Sequence, residues 1–275
     1  MNYILFEDQN VQGLYPFCIN HASFELRCGA FRNIDRISRI LLKQDKLYLI
    51  VREELVDLVS DRFPQYIINP NTIPEGICIN GATLWDKSSL DFLDYNCSYS
   101  KQNTLIASYL KRSINLDVFL DFTIQSMELA LDIEIFHFKF LWDPIFSLAS
   151  IFKKDQFFFE QGKLENVHES VIFENSEQIF ISNDSIINAG VILDATNGPI
   201  IIDKYAQINI GALIQGPVYI GESTIVNIGA KLRGNISIGP LCKIGGEIED
   251  VVIQGYSNKQ HDGFLGHSYI GEWVN

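Results

Sequence analysis

Aliphatic residues recur at every sixth position in the C-terminal part of the chain: Ile202, Ile208, Ile214, Ile220, Val226, Leu232, Ile238 and Ile244 keep one register without a miss. Four residues after each stands a second, mostly small set: Ala206, Ala212, Val218, Thr224, Ala230, Ile236, Cys242 and Ile248. Neither a helical period nor simple alternation gives this spacing. A solenoid with three flat sides per coil does, when one aliphatic residue from each side stacks on its equivalent in the next coil. The pattern therefore predicts a left-handed parallel β-helix of hexapeptide repeats. Glycine follows the aliphatic residue in Ile220-Gly221, Ile238-Gly239 and Ile244-Gly245, where a bend with positive φ would cost least.

The register also predicts its own interruptions. Ile181, Ile187 and Leu193 keep the step, but Leu193 to Ile202 is nine residues, so three residues within Thr196–Ile201 must bulge at a corner. Ile244 to Ile270 is twenty-six, two more than a multiple of six. That mismatch predicts that Gln254–Tyr269 leaves the helix as a polar, glycine-containing loop, and such excursions commonly carry function.

The N-terminal pattern is of another kind. Tyr3–Phe6 reads as a strand followed by the polar turn Glu7–Asn10, and Leu47–Val51 as a second strand leading into a helix over Arg52–Ser60. Ile77–Ile79 reads as a third, ending at the turn pair Asn80-Gly81. Asp143 and Pro144 suit the N-cap and first position of a helix running through Ile151 and stopping near Lys153 and Lys154, cations fitted to a helix C-terminus. An α/β domain over residues 1–165 followed by a β-helix domain over 166–275 is the expectation.

Composition narrows the partners. The 275-residue chain is 47% hydrophobic and carries a net charge of −13. No cationic footprint for nucleic acid or an anionic membrane follows from that balance. Residues 1–160 hold 15 Lys and Arg against 21 Asp and Glu, and the remainder 6 against 13, so the acid excess is spread along the chain. Five widely separated cysteines without a C-x-x-C pair suggest neither a disulfide framework nor a zinc site, and no metal ligands are expected in the C-terminal site. No leader and no long apolar span is legible, so a cytoplasmic location is expected.

His261, in the segment Gln254–Tyr269, is the candidate general base, since an imidazole titrates near neutrality and can take a proton from an attacking amine or hydroxyl. The open alternative is a solvent-exposed histidine without a task. Asp262 beside it could orient the ring, and His267 is a weaker candidate that caps or packs. Lys231, Arg233, Lys243 and Lys259 are four of the six cations in residues 161–275. They are suited to phosphate, with Arg233 and Lys259 the candidates to hold it; the open alternative is that they are solvated corner residues without that task.

The string from Gly255 to Trp273, GYSNKQHDGFLGHSYIGEW, with Ile192–Ile200 and the hexad register, resembles the bifunctional family that makes UDP-N-acetylglucosamine. That family joins a sugar nucleotidyltransferase domain to a hexapeptide-repeat glucosamine-1-phosphate acetyltransferase. The resemblance implies His261 as base for acetyl transfer from acetyl-CoA, Phe264 as an aromatic contact to substrate, and Arg233, Asn258, Lys259 and Asp262 as substrate-binding residues. It further implies a phosphorylated amino sugar or sugar nucleotide as ligand and a homotrimer with sites between neighbours.

Leu14-Tyr15-Pro16-Phe17, Glu25–Gly29 and Leu141-Trp142-Asp143 resemble the same family's nucleotidyltransferase part. The family's glycine-rich phosphate loop has here only Asp8–Gly13, with one glycine and no cation, and its T-R-P is Asn20-His21-Ala22. A reduced nucleotidyltransferase-like domain is the expectation, with Mg²⁺ needed only if that domain is active. The chain ends at Asn275, one hexad beyond the His261 segment, where the family continues for several coils. The rival expectation is a catalytically reduced relative acting as a sugar-nucleotide-binding protein or a trimeric scaffold.

Overall fold

A computed structural model describes residues 1–162 and 164–275. The chain forms two compact units, one of Met1–Leu26 with Arg32–Leu141, the other of Arg27–Phe31 with Trp142–Asn275.

The first unit is built on a seven-stranded mixed sheet in which the inner strand Asn2–Phe6 is flanked by Lys46–Ile50 on one side and Gly76–Asn80 on the other, both parallel to it. Its uninterrupted apolar run suits a strand covered on both faces. Leu5 packs with Ile34, Ile37, Val59 and Trp85, while Ile4 and Phe6 meet Leu105, Leu110 and Phe119 on the other face. The second strand is followed by a short 3₁₀ turn, Glu53–Leu55, and only then by the helix Val56–Arg62. The chain runs from this inner strand outward to Lys46–Ile50 and Ile67–Ile68, then returns across it to Gly76–Asn80. That reversal makes a topological switch point, the place where open α/β sheets gather ligand-binding groups at the carboxyl ends of their strands.

The second unit is a parallel β-helix with the helix Asp143–Asp155 beside it, the latter running four residues past Ile151 with Asp143 as its first residue rather than its cap. Three in-register columns fill the solenoid. One holds Ile181, Ile202, Ile220, Ile238, Ile253 and Ile270, another Ile187, Ile208, Val226 and Ile244, and the third Phe173, Leu193, Ile214, Leu232, Ile248 and Leu265. Most of these side chains are fully buried in one cluster. Coiling begins before Ile181, with Ile172–Glu174 paired to Ile192–Asp194 and Val167 bridged to Ile187. The extra residues after Leu193 form a turn between the strands Ile192–Asp194 and Ile200–Ile202, as the nine-residue step requires.

Two expectations change. The glycines at 221, 239 and 245 do not supply positive φ; that conformation falls on Tyr205, Ser223, Leu241 and Tyr256 at the corners. A Cβ at Gly221 would stand 2.6 Å from the Gly239 carbonyl carbon, and one at Gly239 only 2.0 Å from the Gln254 oxygen, so these glycines let successive coils approach. The segment Gln254–Tyr269 does not leave the solenoid. Asn258–Lys259 pairs with Lys243–Ile244, and Phe264–Glu272 pairs with Glu247–Gly255. The spacing misled because the position under Ile244 is Lys259, fifteen residues on, while Ile253 to Ile270 takes seventeen. Coil length changes, and one column position is not aliphatic.

The hairpin Arg27–Phe31 packs on the β-helix although it lies early in the chain. Arg27 is buried, its Nε donating to the Gln254 carbonyl at 3.1 Å and its Nη1 to the Ala30 carbonyl at 3.0 Å. Ser237 Oγ donates to the Gly29 carbonyl, and the Ala30 amide to Asp155 Oδ2. Gly29 has φ of 69°, and a Cβ there would lie 2.3 Å from Asp155 Oδ2, so only glycine fits.

Ile220→Ala, which empties a rung between Ile202 and Ile238, is expected to cost about 2–5 kcal/mol by urea denaturation. The outward Lys231→Ala is expected to change stability by no more than roughly 0.5 kcal/mol. Equal effects would show that Ile220 is not a core rung.

Candidate functional site

The carboxyl ends of these three inner strands of the first unit carry Glu7 and Asp8, Arg52, and Asn80. Glu7 directly follows the strand Asn2–Phe6, and its side chain is 1% exposed. Its Oε1 accepts from the Ser23 amide at 3.0 Å and lies 3.3 Å from Arg52 Nη1. Burial pushes the Glu7 carboxyl up to about 7, against the lowering pull of the Arg52 guanidinium. Arg52 also donates through Nη2 to the Cys18 carbonyl. Arg62, ten residues on, donates to the Asn20 carbonyl at 2.8 Å and pairs with buried Glu25 at 3.1 Å. Glu25 in turn accepts from the Ala22 amide. Two guanidiniums thus fasten the segment Cys18–Glu25.

The pair Asn80-Gly81 stands at the other side of the switch point. Asn80 is fully buried, its Nδ2 donating to Asp8 and to the Leu105 carbonyl at 2.9 Å. The Trp85 indole donates to its carbonyl. Asp8 Oδ1 accepts from the Asn10 amide and starts the 3₁₀ turn Gln9–Leu14. Gly13 lies where a Cβ would stand 2.0 Å from the Lys139 carbonyl oxygen, so this glycine serves close packing. His21 is buried, stacked on Phe17 with centroids 4.5 Å apart, and its Nδ1 lies 2.8 Å from Asn20 Oδ1. Among the described residues no group of three or more His, Cys, Asp or Glu is placed to hold a metal ion.

In the β-helix, the residues singled out from sequence fall on two faces and the corner between them. Arg233 ends the strand Lys231–Arg233, where its guanidinium pairs with Glu247 and, at 3.6 Å, with Glu249 on the next coil. Phe264 lies one rung beyond Glu247, on the same face, with its ring over Gly266, where a Cβ would stand 2.6 Å from the ring edge. Asn258 and Lys259 form the short strand of the adjacent face. Lys259 sits in the aliphatic column, and its ammonium is turned to the Gly245 carbonyl at 3.1 Å and to the His261 carbonyl. His261 and Asp262 occupy the exposed bend between these faces. Lys259 and His261 are therefore brought together, while Arg233 is engaged with carboxylates on the neighbouring face.

A sheet with polar groups gathered at its switch point, followed in one chain by a parallel β-helix, defines an α/β protein with an appended solenoid. The model of the sugar nucleotidyl transferase family matches residues 3–164, more than half of the chain, and the protein belongs to that family. A search of curated proteins finds no match. No described helix is long and apolar enough to cross a membrane.

Glu7, Arg52, Arg62, Glu25 and Asn80 were not singled out from sequence. The signal that locates three of them is a polar residue directly following an apolar strand, as in Phe6-Glu7, Val51-Arg52 and Ile79-Asn80.

Because the Glu7 carboxyl is shifted from 4.5 to about 7 by folding, the folded chain binds more protons than the unfolded one between those values. Stability falls as pH rises through that window and levels off above it. In Glu7→Gln this component is removed. Urea denaturation at pH 5 and pH 8 is expected to show the parent losing roughly 2–4 kcal/mol more than the variant over that range. Identical pH slopes would remove Glu7 as the titrating group.

Proposed function

We propose that the protein acts in sugar-nucleotide metabolism, the first unit binding a sugar phosphate or nucleotide sugar at the switch point and the β-helix transferring an acetyl group from acetyl-CoA to an amino-sugar phosphate. The observation that supports this reading is the presence, in one chain, of the sugar nucleotidyl transferase match and of a β-helix carrying His261 at an exposed bend with Phe264 beside it. In the reaction the substrate amine attacks the thioester carbonyl, His261 takes the amine proton, and coenzyme A leaves as its thiol. Lys259, held by the two carbonyls, sets the corner on which His261 stands. Asn258, Asp262, Phe264 and Arg233 surround the substrate in this reading, and a trimer of β-helices would complete each site from a neighbour.

A second reading is favoured by a separate observation. Arg233 is paired with Glu247 and Glu249, Lys259 with carbonyls, and Arg52 and Arg62 with Glu7 and Glu25, so these cations are committed within the chain. With these cations holding the fold together, a catalytically reduced relative that binds a sugar nucleotide through other groups, without turnover, fits that pattern.

Release of free thiol from acetyl-CoA with glucosamine-1-phosphate separates the two. Turnover that falls at least about a hundredfold in His261→Ala, with an unchanged melting temperature, is the outcome expected for acetyl transfer. Absence of turnover together with a melting temperature raised by UDP-N-acetylglucosamine but not by acetyl-CoA would establish the binding protein instead.

A further inference from the structure

Three successive coils place Asn235, Asp250 and His267 at one corner. Each has the left-handed backbone, with φ of 49°, 53° and 49°. The ladder fixes their alignment: the Asp250 amide donates to the Gly234 carbonyl and the Val251 amide to the Asn235 carbonyl, while Glu249 and Val251 pair with Gly266 and Ser268 on either side of His267. His267 Nε2 lies 3.3 Å from Asp250 Oδ2. The helix Asp143–Asp155 supplies the opposite wall through Ile145, Phe146 and Ala149, and the six side chains line an open pocket of about 140 Å³. That space holds several heavy atoms, since a single water needs only about 10–15 Å³ on this measure.

The polar side of the pocket carries oxygen acceptors on Asn235 and Asp250. Asn235 Oδ1 is buried and meets no donor among the described residues. An uncompensated buried acceptor is destabilising, so its retention calls for an explanation. Asp250 adds a carboxylate, and an imidazole that donates from Nε2 to that carboxylate leaves Nδ1 as a further acceptor. The other side is apolar, with Phe146 exposed at the rim.

We propose that this pocket is a binding site for a small primary amine, with the ammonium on Asn235 Oδ1 and Asp250 and the carbon stem against Ile145 and Ala149. An ammonium brings three donors and a positive charge to a set of acceptors. An anion meets the repulsion of the Asp250 carboxylate, and an aromatic ring at the rim, Phe146, attracts a cation more than a neutral group. The site is separate from the His261 bend and does not rest on the acetyl-transfer reading.

The test is an NMR titration of the full chain with n-propylammonium chloride, with n-propanol and sodium propionate as neutral and anionic counterparts. Saturable shifts at the His267 ring and the Asn235 side-chain amide, in the millimolar range for so small a ligand, are expected for the amine alone. Asp250→Asn keeps a residue tolerant of positive φ and is expected to weaken the amine at least about tenfold. Ala149→Phe, at an exposed helix position, is expected to fill the pocket and abolish the shifts. The proposal is overturned by non-saturating shifts, by equal binding of propanol or propionate, or by parent-like affinity in folded Asp250→Asn.

Discussion

Parallel strands stacked in register leave each side chain only two directions, into the coil or out of it, and an inward side chain meets the same position of the coils above and below. That constraint governs the second unit. Inward positions on the flat sides are mostly Ile, Val or Leu, with smaller residues such as Ala206, Ala212, Ala230 and Cys242 also buried in the core, and the fully buried column formed by Ile202, Ile220, Ile238 and Ile253 is the result. Everything with chemical reach is consequently on the outer surface or at the corners, where a left-handed residue turns the chain. Lys259 is the instructive exception: an inward position is filled by an aliphatic stem whose ammonium donates to corner carbonyls.

The first unit obeys a different rule. Its inner strand Asn2–Phe6 is buried on both faces, so polar groups are admitted only where the strand ends, and the reversal of strand order concentrates them there. Burial then sets their character. Glu7 gains an arginine and two backbone donors, Ser23 and Arg52, yet loses enough hydration that its proton is held to near neutrality. A carboxyl in that condition is sensitive to anything that changes its access to water, including a ligand settling on the same edge.

The hexad columns were legible in the sequence because an enclosed apolar position tolerates little else, and the strand assignments at Tyr3–Phe6, Leu47–Val51 and Ile77–Ile79 followed from the same demand. The last coils were not legible. Their lengths depart from eighteen residues, and the lysine in the column hid the rung, so a continuous strand pair read as an excursion. Asn235, Asp250 and His267 lie fifteen and seventeen residues apart, spacings that match no local period, and only the folded ladder aligns them. The partners of Arg52 and Arg62 were likewise set by tertiary approach rather than by sequence distance.

The hairpin Arg27–Phe31 threads the chain out of the first unit, onto the second, and back again. No single cleavage can divide the protein into its two units, since one cut always strands a strand pair on the wrong side. The order of synthesis is affected as well. Arg27 and the Gln254 carbonyl are 227 residues apart, and at roughly 5–20 residues per second a ribosome needs on the order of 10–45 s to deliver the acceptor. Throughout that interval an arginine destined for burial stays in water, and the nascent first unit must keep its own interior closed while one of its loops is still waiting for a surface to dock on.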